Sequence, residues 1–356
     1  MLQYENSRSF STGNSAQERG VSYVPQCYVI ANMQRPNSAP KEANVPIIDM
    51  AALRNIGSEE RSRVIEEIRE ASCRFGFFQV VNHGVSEPVL DEALSVASKF
   101  FDLPTEEKMK LLSGDVHKPV RFGTSLKNDG DKVQFWRVFL KHYSNPLNDW
   151  IHMWPQNPPD YREKMGRWSE EVMKLGIEVM TTLIEILGIN PTNNLTQKIE
   201  NGMQVVAVNY YPPCPQPELA LGLPPHSDYS CLTILHQSSP GLEIMDSEDN
   251  TWKLVPFVPG ALQVNIGDHF QVLSNGLYKS VLHRAILNNS ETRISIASLF
   301  SLGLDDKVDP AKELVSAQNP KRYRESSLRD FLNFLANNDF GSEGKNFIDI
   351  LKLKNN

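Results

Sequence analysis

Thr292-Arg293-Ile294-Ser295-Ile296-Ala297-Ser298-Leu299-Phe300 alternates along its whole length. An extended chain points successive side chains to opposite faces. Arg293, Ser295, Ala297 and Leu299 therefore share one face, and Ile294, Ile296, Ser298 and Phe300 the other. The run is a strand with a guanidinium and a hydroxyl on the same side. A charge turned into a barrel is costly without an anionic partner. Arg293 offers a two-pronged grip on a carboxylate, and Ser295 adds a hydroxyl beside it.

Upstream, short β-rich runs at 204–211, 231–237, 241–246, 251–257 and 261–267 lead into the longer one at 276–300. Turns such as Ser239-Pro240-Gly241 and Val258-Pro259-Gly260 separate them, and Asn250-Thr251-Trp252 reads as a hairpin tip. Many short strands at close spacing predict a double-sheet barrel.

Two segments of this region carry metal-ligand chemistry. Pro225-His226-Ser227-Asp228 places an imidazole and a carboxylate two residues apart, on one face if the segment is extended. His283, in Ser280-Val281-Leu282-His283-Arg284, is the candidate third ligand. Two histidines and one carboxylate make the facial triad of non-haem iron(II) oxygenases, which leaves adjacent coordination positions open. His83, in the turn Asn82-His83-Gly84, reads as structural. His117, His142, His152, His236 and His269 have no ligand-like pairing, and Cys214 and Cys231 read as packing residues.

The first 200 residues are more helical. Val45–Met50 reads as a short strand, and Glu59–Phe75 as a helix with apolar positions Val64, Ile68, Ala71 and Phe75, stopped by Gly76. Phe77–Val81 is a buried strand, Ser86 caps a helix, and Thr105 starts another. The polar stretch 113–131 reads as a loop. Phe122 inside it and Phe135 after it are candidates for a pocket wall, with ordinary core packing as the alternative. Asp160–Leu187 is the longest helix and is expected to brace a sheet; Ser326–Asn337 is an amphipathic helix that covers the body, and Phe347–Leu353 closes it. Residues 1–44 read as a flexible extension, with Tyr23, Val24, Tyr28 and Val29 as candidate anchors.

The chain has 356 residues, 40% of them hydrophobic, a net charge of -7 and four cysteines without metal or disulfide spacing. It lacks a basic cluster, so nucleic acid and anionic membrane are not expected partners. Met1–Ala16 lacks the apolar core of a signal peptide, and no run approaches the ~20 apolar residues of a membrane span. A cytoplasmic, monomeric protein with reduced thiols is expected.

Asn209-Tyr210-Tyr211-Pro212-Pro213-Cys214-Pro215, His226-Ser227-Asp228, His283 and Arg293-Ile294-Ser295 occur in this order, after Phe75-Gly76-Phe77-Phe78-Gln79-Val80-Val81-Asn82-His83-Gly84. The combination resembles the plant 2-oxoglutarate/iron(II)-dependent dioxygenase superfamily over roughly residues 45–350. Within it, the stretches Phe135–Leu140 and Asp268–Gly276 are most similar to flavanone 3-hydroxylase-like enzymes and to salicylate hydroxylases of the downy-mildew-resistance type.

The resemblance implies a mainly β fold with flanking α, a double-stranded β-helix (jelly-roll) core braced by helices. It implies iron(II) on His226, Asp228 and His283, and 2-oxoglutarate on Arg293 and Ser295 with Tyr211 and Asn209 nearby. Dioxygen would be consumed, ascorbate would support activity, and a small phenolic or other specialised metabolite would be hydroxylated, with succinate and carbon dioxide as co-products. Desaturation, O-demethylation, a 2-oxoglutarate-independent oxidase and a non-catalytic jelly-roll binding protein are the alternatives. The expected division is a 1–44 extension, a 45–200 mixed α/β region, a 201–305 catalytic core and a 306–356 helical segment. Phe122, Phe135, Leu299 and Phe300 are expected at the substrate pocket. Where flavonoid-oxidising relatives often have Phe six residues after the arginine, this chain has Leu299.

Overall fold

The strand expected at Thr292–Phe300 sits inside the larger of two sheets. The computed structural model describes residues 20–37, 39–124, 133–190, 194–338 and 346–354. The eight-stranded sheet runs in the order β1 (Ile47–Asp49), β2 (Phe77–Val81), β10 (Leu262–Ile266), β7 (Leu232–Gln237), β12 (Arg293–Ser301), β5 (Met203–Tyr211), β4 (Val138–Asn145) and β3 (Val120–Gly123). Four strands form the smaller sheet: β6 (Leu223–His226), β11 (His283–Ala285), β8 (Leu242–Met245) and β9 (Trp252–Leu254). The β1–β2 pair is parallel and the other pairings are antiparallel. The core is the expected jelly roll, and β1 to β4 extend its larger sheet. The sheet thus crosses residue 200 without a break, since β4 and β5 pair along most of their length.

Helices cover the outer face of the larger sheet. They comprise α1 (Met50–Leu53), α2 (Glu59–Arg74), α3 (Glu87–Phe101), α4 (Thr105–Met109), α5 (Leu147–Trp150), α6 (Tyr161–Ile186) and α7 (Leu195–Glu200). Ser58 caps α2 by accepting a hydrogen bond from Arg61 N at 3.0 Å, with Glu59 and Glu60 in the first turn where the helix dipole favours acids. The chain then turns at Gly76, where φ is +66° and a Cβ would lie 2.0 Å from the Lys279 carbonyl oxygen. α6 braces β4, β5, β7 and β12. Its Trp168, Val172, Val179 and Leu183 are fully buried, and Gly176 lets the Phe300 ring approach the helix. Three further helices follow: α8 (Asp268–Leu273), α9 (Leu328–Asn337) and α10 (Phe347–Leu351). Among the described residues no helix is long and apolar enough to cross a membrane, and the four cysteines form no disulfide.

Three expectations are corrected here. Residues 20–37 and 39–44 do not hang loose: Tyr28 packs edge-on against Trp136 at 5.1 Å, Ile30 N donates to Leu219 O, and Ala43 N donates to Leu254 O. Residues 1–19 of the expected extension lie outside the described residues. The stretch 113–131 is not all loop, because Val120–Gly123 pairs with β4; its residues 125–131 lie outside the described ones. The long β-rich run 276–300 divides into β11 and β12.

Candidate active site

The inner face of the larger sheet is built in rows. Arg293 pairs with Tyr211, Ser295 with Asn209 and Ala297 with Ala207, and β4 adds Phe139 opposite Asn209 and Lys141 opposite Ala207. These side chains line a cavity of about 200 Å³ between the two sheets. Residues of the opposite parity, such as Leu140, Val206, Val208 and Ile296, are fully buried in the core beneath the helices.

His226 and His283 enter the same cavity from the smaller sheet. They are direct register partners of β6 and β11. Asp228 sits just beyond β6, and its Oδ1 is 3.7 Å from the Nε2 of each histidine. One donor atom from each of the three residues lies within 4.8 Å of the others. The remaining polar atoms are committed elsewhere. His226 Nδ1 lies 2.8 Å from Pro224 O and His283 Nδ1 3.2 Å from Val281 O. Donation from Nδ1–H to these carbonyls leaves each Nε2 lone pair facing the cavity. Asp228 Oδ2 accepts from Thr233 Oγ1 at 2.6 Å and Asn265 Nδ2 at 2.8 Å, which turns Oδ1 toward the histidines.

Charge is distributed to suit a cation. Burial, followed by the neighbouring His283, pushes the His226 imidazole down to about 3, so it is neutral and able to ligate. Burial acts to raise the Asp228 carboxyl. His283, His226 and the hydrogen bonds from Thr233 and Asn265 outweigh it and hold the group below the usual carboxylate range. Two imidazoles and one carboxylate on a single side fit iron(II).

Arg293 is 3% exposed. Its Nη2 donates to Gln237 Oε1 at 2.7 Å and its Nε to Ser239 O at 3.2 Å, while the guanidinium lies 5.0 Å from the centre of the Tyr211 ring. Buried Nη1 has no hydrogen-bond partner among the described residues. A buried donor of this kind calls for an acceptor, such as a carboxylate oxygen. Gly241 makes room here: a Cβ at that position would lie 2.9 Å from Arg293 Cδ. Asn209 is buried and accepts from Arg137 Nη1.

The structure brings His226, Asp228, His283, Arg293, Ser295, Tyr211, Asn209 and Leu299 to one cavity. It does not bring Phe122, Phe135 or Phe300 there. Phe122 has the outward parity of β3 and packs on Phe100 and Phe101. Phe300, one residue past Leu299, faces α6, and Phe135 packs with Ile30 and Leu221. Sequence reasoning missed Thr233 and Asn265, which orient Asp228, and the cationic wall of Arg121, Arg137 and Lys141. It also missed the cavity's roof, where Tyr229 stacks on Phe331 of α9 at 4.1 Å. For the wall, one signal was available in the sequence: Arg137, Phe139 and Lys141 alternate with the period of a strand.

The description "2OG-Fe(II) oxygenase superfamily" matches residues 202–301, and "non-haem dioxygenase in morphine synthesis N-terminal" matches residues 45–158. The rice (Oryza sativa subsp. japonica) protein "2-oxoglutarate-dependent dioxygenase 21, chloroplastic" is 45% identical over 89% of this chain and 94% of its own. "Flavanone 3-dioxygenase 3", also from rice, is 43% identical over 91% of this chain and 98% of its own. The crystal structure of JOX2 in complex with 2OG, Fe and JA superposes with a TM-score of 0.82 at 32% identity, covering 96% of both chains.

Proposed function

The chain belongs to the 2OG-Fe(II) oxygenase superfamily and is a 2-oxoglutarate-dependent oxidoreductase, and from that premise we propose that it hydroxylates a small phenolic, flavonoid-like or other plant specialised metabolite, with succinate and carbon dioxide as co-products. The observation that carries this reading is the meeting of His226, Asp228 and His283 in a cavity that also holds the orphaned Nη1 of Arg293.

In this reading His226 and His283 would hold iron through Nε2, and Asp228 through Oδ1. Arg293 and Ser295 hold the far carboxylate of 2-oxoglutarate, with Tyr211 and Asn209 beside them. Bound iron(II) and 2-oxoglutarate supply dioxygen activation. The protein's share is positioning and dryness. Val205, Ala207, Ala297 and Leu299 give the cavity an apolar floor, and Phe331 helps to roof it. No side chain is assigned as a general base. One rice relative, 43% identical, is named for a flavanone, and JOX2, 32% identical, was crystallised with JA, so the names of relatives do not agree on one small molecule.

The test uses purified protein with iron(II), ascorbate, 2-oxoglutarate and a panel of phenolics, flavonoids, alkaloids and terpenoids. A product heavier by one oxygen supports hydroxylation. Loss of two hydrogens would replace it with desaturation, and loss of a methylene unit with demethylation. Equal succinate formation by the wild type and Asp228→Ala would refute the site. We place the protein in the cytoplasm as a monomer, which cysteines without disulfides fit. Cell fractionation and light scattering check both, and the chloroplastic name of one rice relative marks the competing compartment.

A further inference from the structure

The third residue of the triad rides on a very short strand. β11 holds only His283, Arg284 and Ala285. Its pairing with β6 is irregular: His283 faces His226 and Ala285 faces Leu223, and the register shifts between them. On its other side β11 pairs with β8, His283 with Ile244, Arg284 with Glu243 and Ala285 with Leu242. A slip of one residue against β8 would turn every side chain of β11 to the other face of the sheet. His283 would leave Asp228, and a neighbouring side chain would take its place.

A buried ion pair stands at the middle of the β8–β11 pairing. Arg284 Nε donates to Glu243 Oε2 at 2.6 Å, and both residues are fully buried. The guanidinium lies 4.3 Å from the centre of the Trp252 ring of β9, and its Nη1 donates to Gln34 O at 2.8 Å. The other carboxylate oxygen, Glu243 Oε1, is buried without a partner among the described residues. Such a pair is a poor source of stability, because both charges give up water and one acceptor gets nothing in return. Apolar side chains of similar size would serve the fold as well. What the pair does is discriminate between registers. Any slip separates a buried guanidinium from a buried carboxylate, and each uncompensated charge is costly.

Resting on the oxygenase reading above, we propose that Arg284 and Glu243 are positioning residues, whose ion pair locks the β8–β11 register and so keeps His283 Nε2 turned to Asp228 and the metal. Gln34 O and the Trp252 ring complete the surroundings of the guanidinium, so the N-terminal segment takes part in the lock.

The test is made on the full-length protein with three readouts. Iron(II) affinity is measured without oxygen by competition against a chelator, and the urea midpoint reports the fold. The visible spectrum of cobalt(II)-loaded protein reports which ligands the metal holds. Arg284→Met combined with Glu243→Met removes both charges and should keep the urea midpoint near that of the wild type. Its iron(II) affinity should nonetheless fall at least about tenfold, the scale for losing a residue that orients a ligand, and its cobalt bands should change. Arg284→Lys keeps a charge pair and should recover most of that affinity. A merely structural pair would give a double variant whose fold and iron binding return together. A folded double variant that binds iron within about twofold of the wild type, with unchanged cobalt bands, therefore overturns the inference. If the double variant does not fold, Glu243→Gln decides, since it keeps an acceptor and cancels the charge. Weakened iron binding at an unchanged urea midpoint supports the lock; iron binding like the wild type's, or loss of the fold here too, overturns it. If the wild type itself takes up no iron(II), the oxygenase reading has failed instead.

Discussion

His226 and His283 face each other across the β6–β11 pairing, with ring centroids 4.2 Å apart and both Nε2 atoms 3.7 Å from the same oxygen of Asp228. Backbone pairing thus sets the ligand separation, and the side chains need little adjustment. The carboxylate is aimed by Thr233 and Asn265, which bond its other oxygen. Removing such a support typically weakens metal binding about 10- to 100-fold. Thr233→Val should therefore weaken iron(II) affinity within that range. Competition against a chelator of known affinity measures it, and a change below twofold would show that Asp228 is oriented by other means.

Arg293 should govern 2-oxoglutarate and leave the metal alone. Its Nη1 is buried without a partner among the described residues, and Gly241 leaves room for its stem. Arg293→Met should raise the KM for 2-oxoglutarate by roughly tenfold or more, the usual scale for a lost charged hydrogen bond. Gly241→Ala should act in the same direction, because its Cβ would meet Arg293 Cδ at 2.9 Å and its φ of +140° disfavours alanine. An unchanged KM in both variants would remove Arg293 from the binding site.

Packing between α6 and β12 is tight at one point. A Cβ on Gly176 would lie 2.7 Å from the Phe300 ring. Gly176→Ala should cost about 1–3 kcal/mol, the range for overpacking a core. A urea unfolding curve checks this, and a stabilised variant would mean that Phe300 has space to move.

Acid should destabilise the fold through histidines outside the iron site. His142 lies tilted against Trp154 with centroids 4.0 Å apart, and its ring nitrogens meet Ser144 Oγ at 3.0 Å and Tyr161 Oη at 3.1 Å. Burial pushes His142 down to about 3, and His236 and His269 to about 4. Below about 6.5 the unfolded chain takes up protons that the folded one refuses. This stability is complete above pH ~6.5 and falls as pH drops toward ~4, by up to about 1.4 kcal/mol per pH unit for each histidine. The urea midpoint should decline between pH ~7.5 and ~5, and less steeply in His142→Gln. A midpoint that holds or rises over that range would contradict the assignment.

What the sequence reveals here depends on distance along the chain. Arg293, Ser295, Ala297 and Leu299 were legible as one cavity-facing row because a strand's period is two. The same rule assigns Phe300 to the opposite face, where α6 covers it, so its place among pocket candidates ran against its own parity. Arg121 and Lys141 were not legible as a pair, since their contact depends on the β3–β4 register between distant stretches, which no local pattern encodes. Thr233 and Asn265 are hidden for the same reason, being partners across β7 and β10. Residues 20–44 looked loose because composition counts polar residues and cannot register a few backbone hydrogen bonds to Leu219 and Leu254.

The central claim is that two histidines and an aspartate from two backbone segments hold one iron. Metal-free full-length protein can be titrated with iron(II) and 2-oxoglutarate without oxygen, separated from free metal by gel filtration, and its iron counted. The account predicts about one iron per wild-type chain and less than about a tenth of that in folded His283→Ala. Equal iron in the two proteins would contradict it.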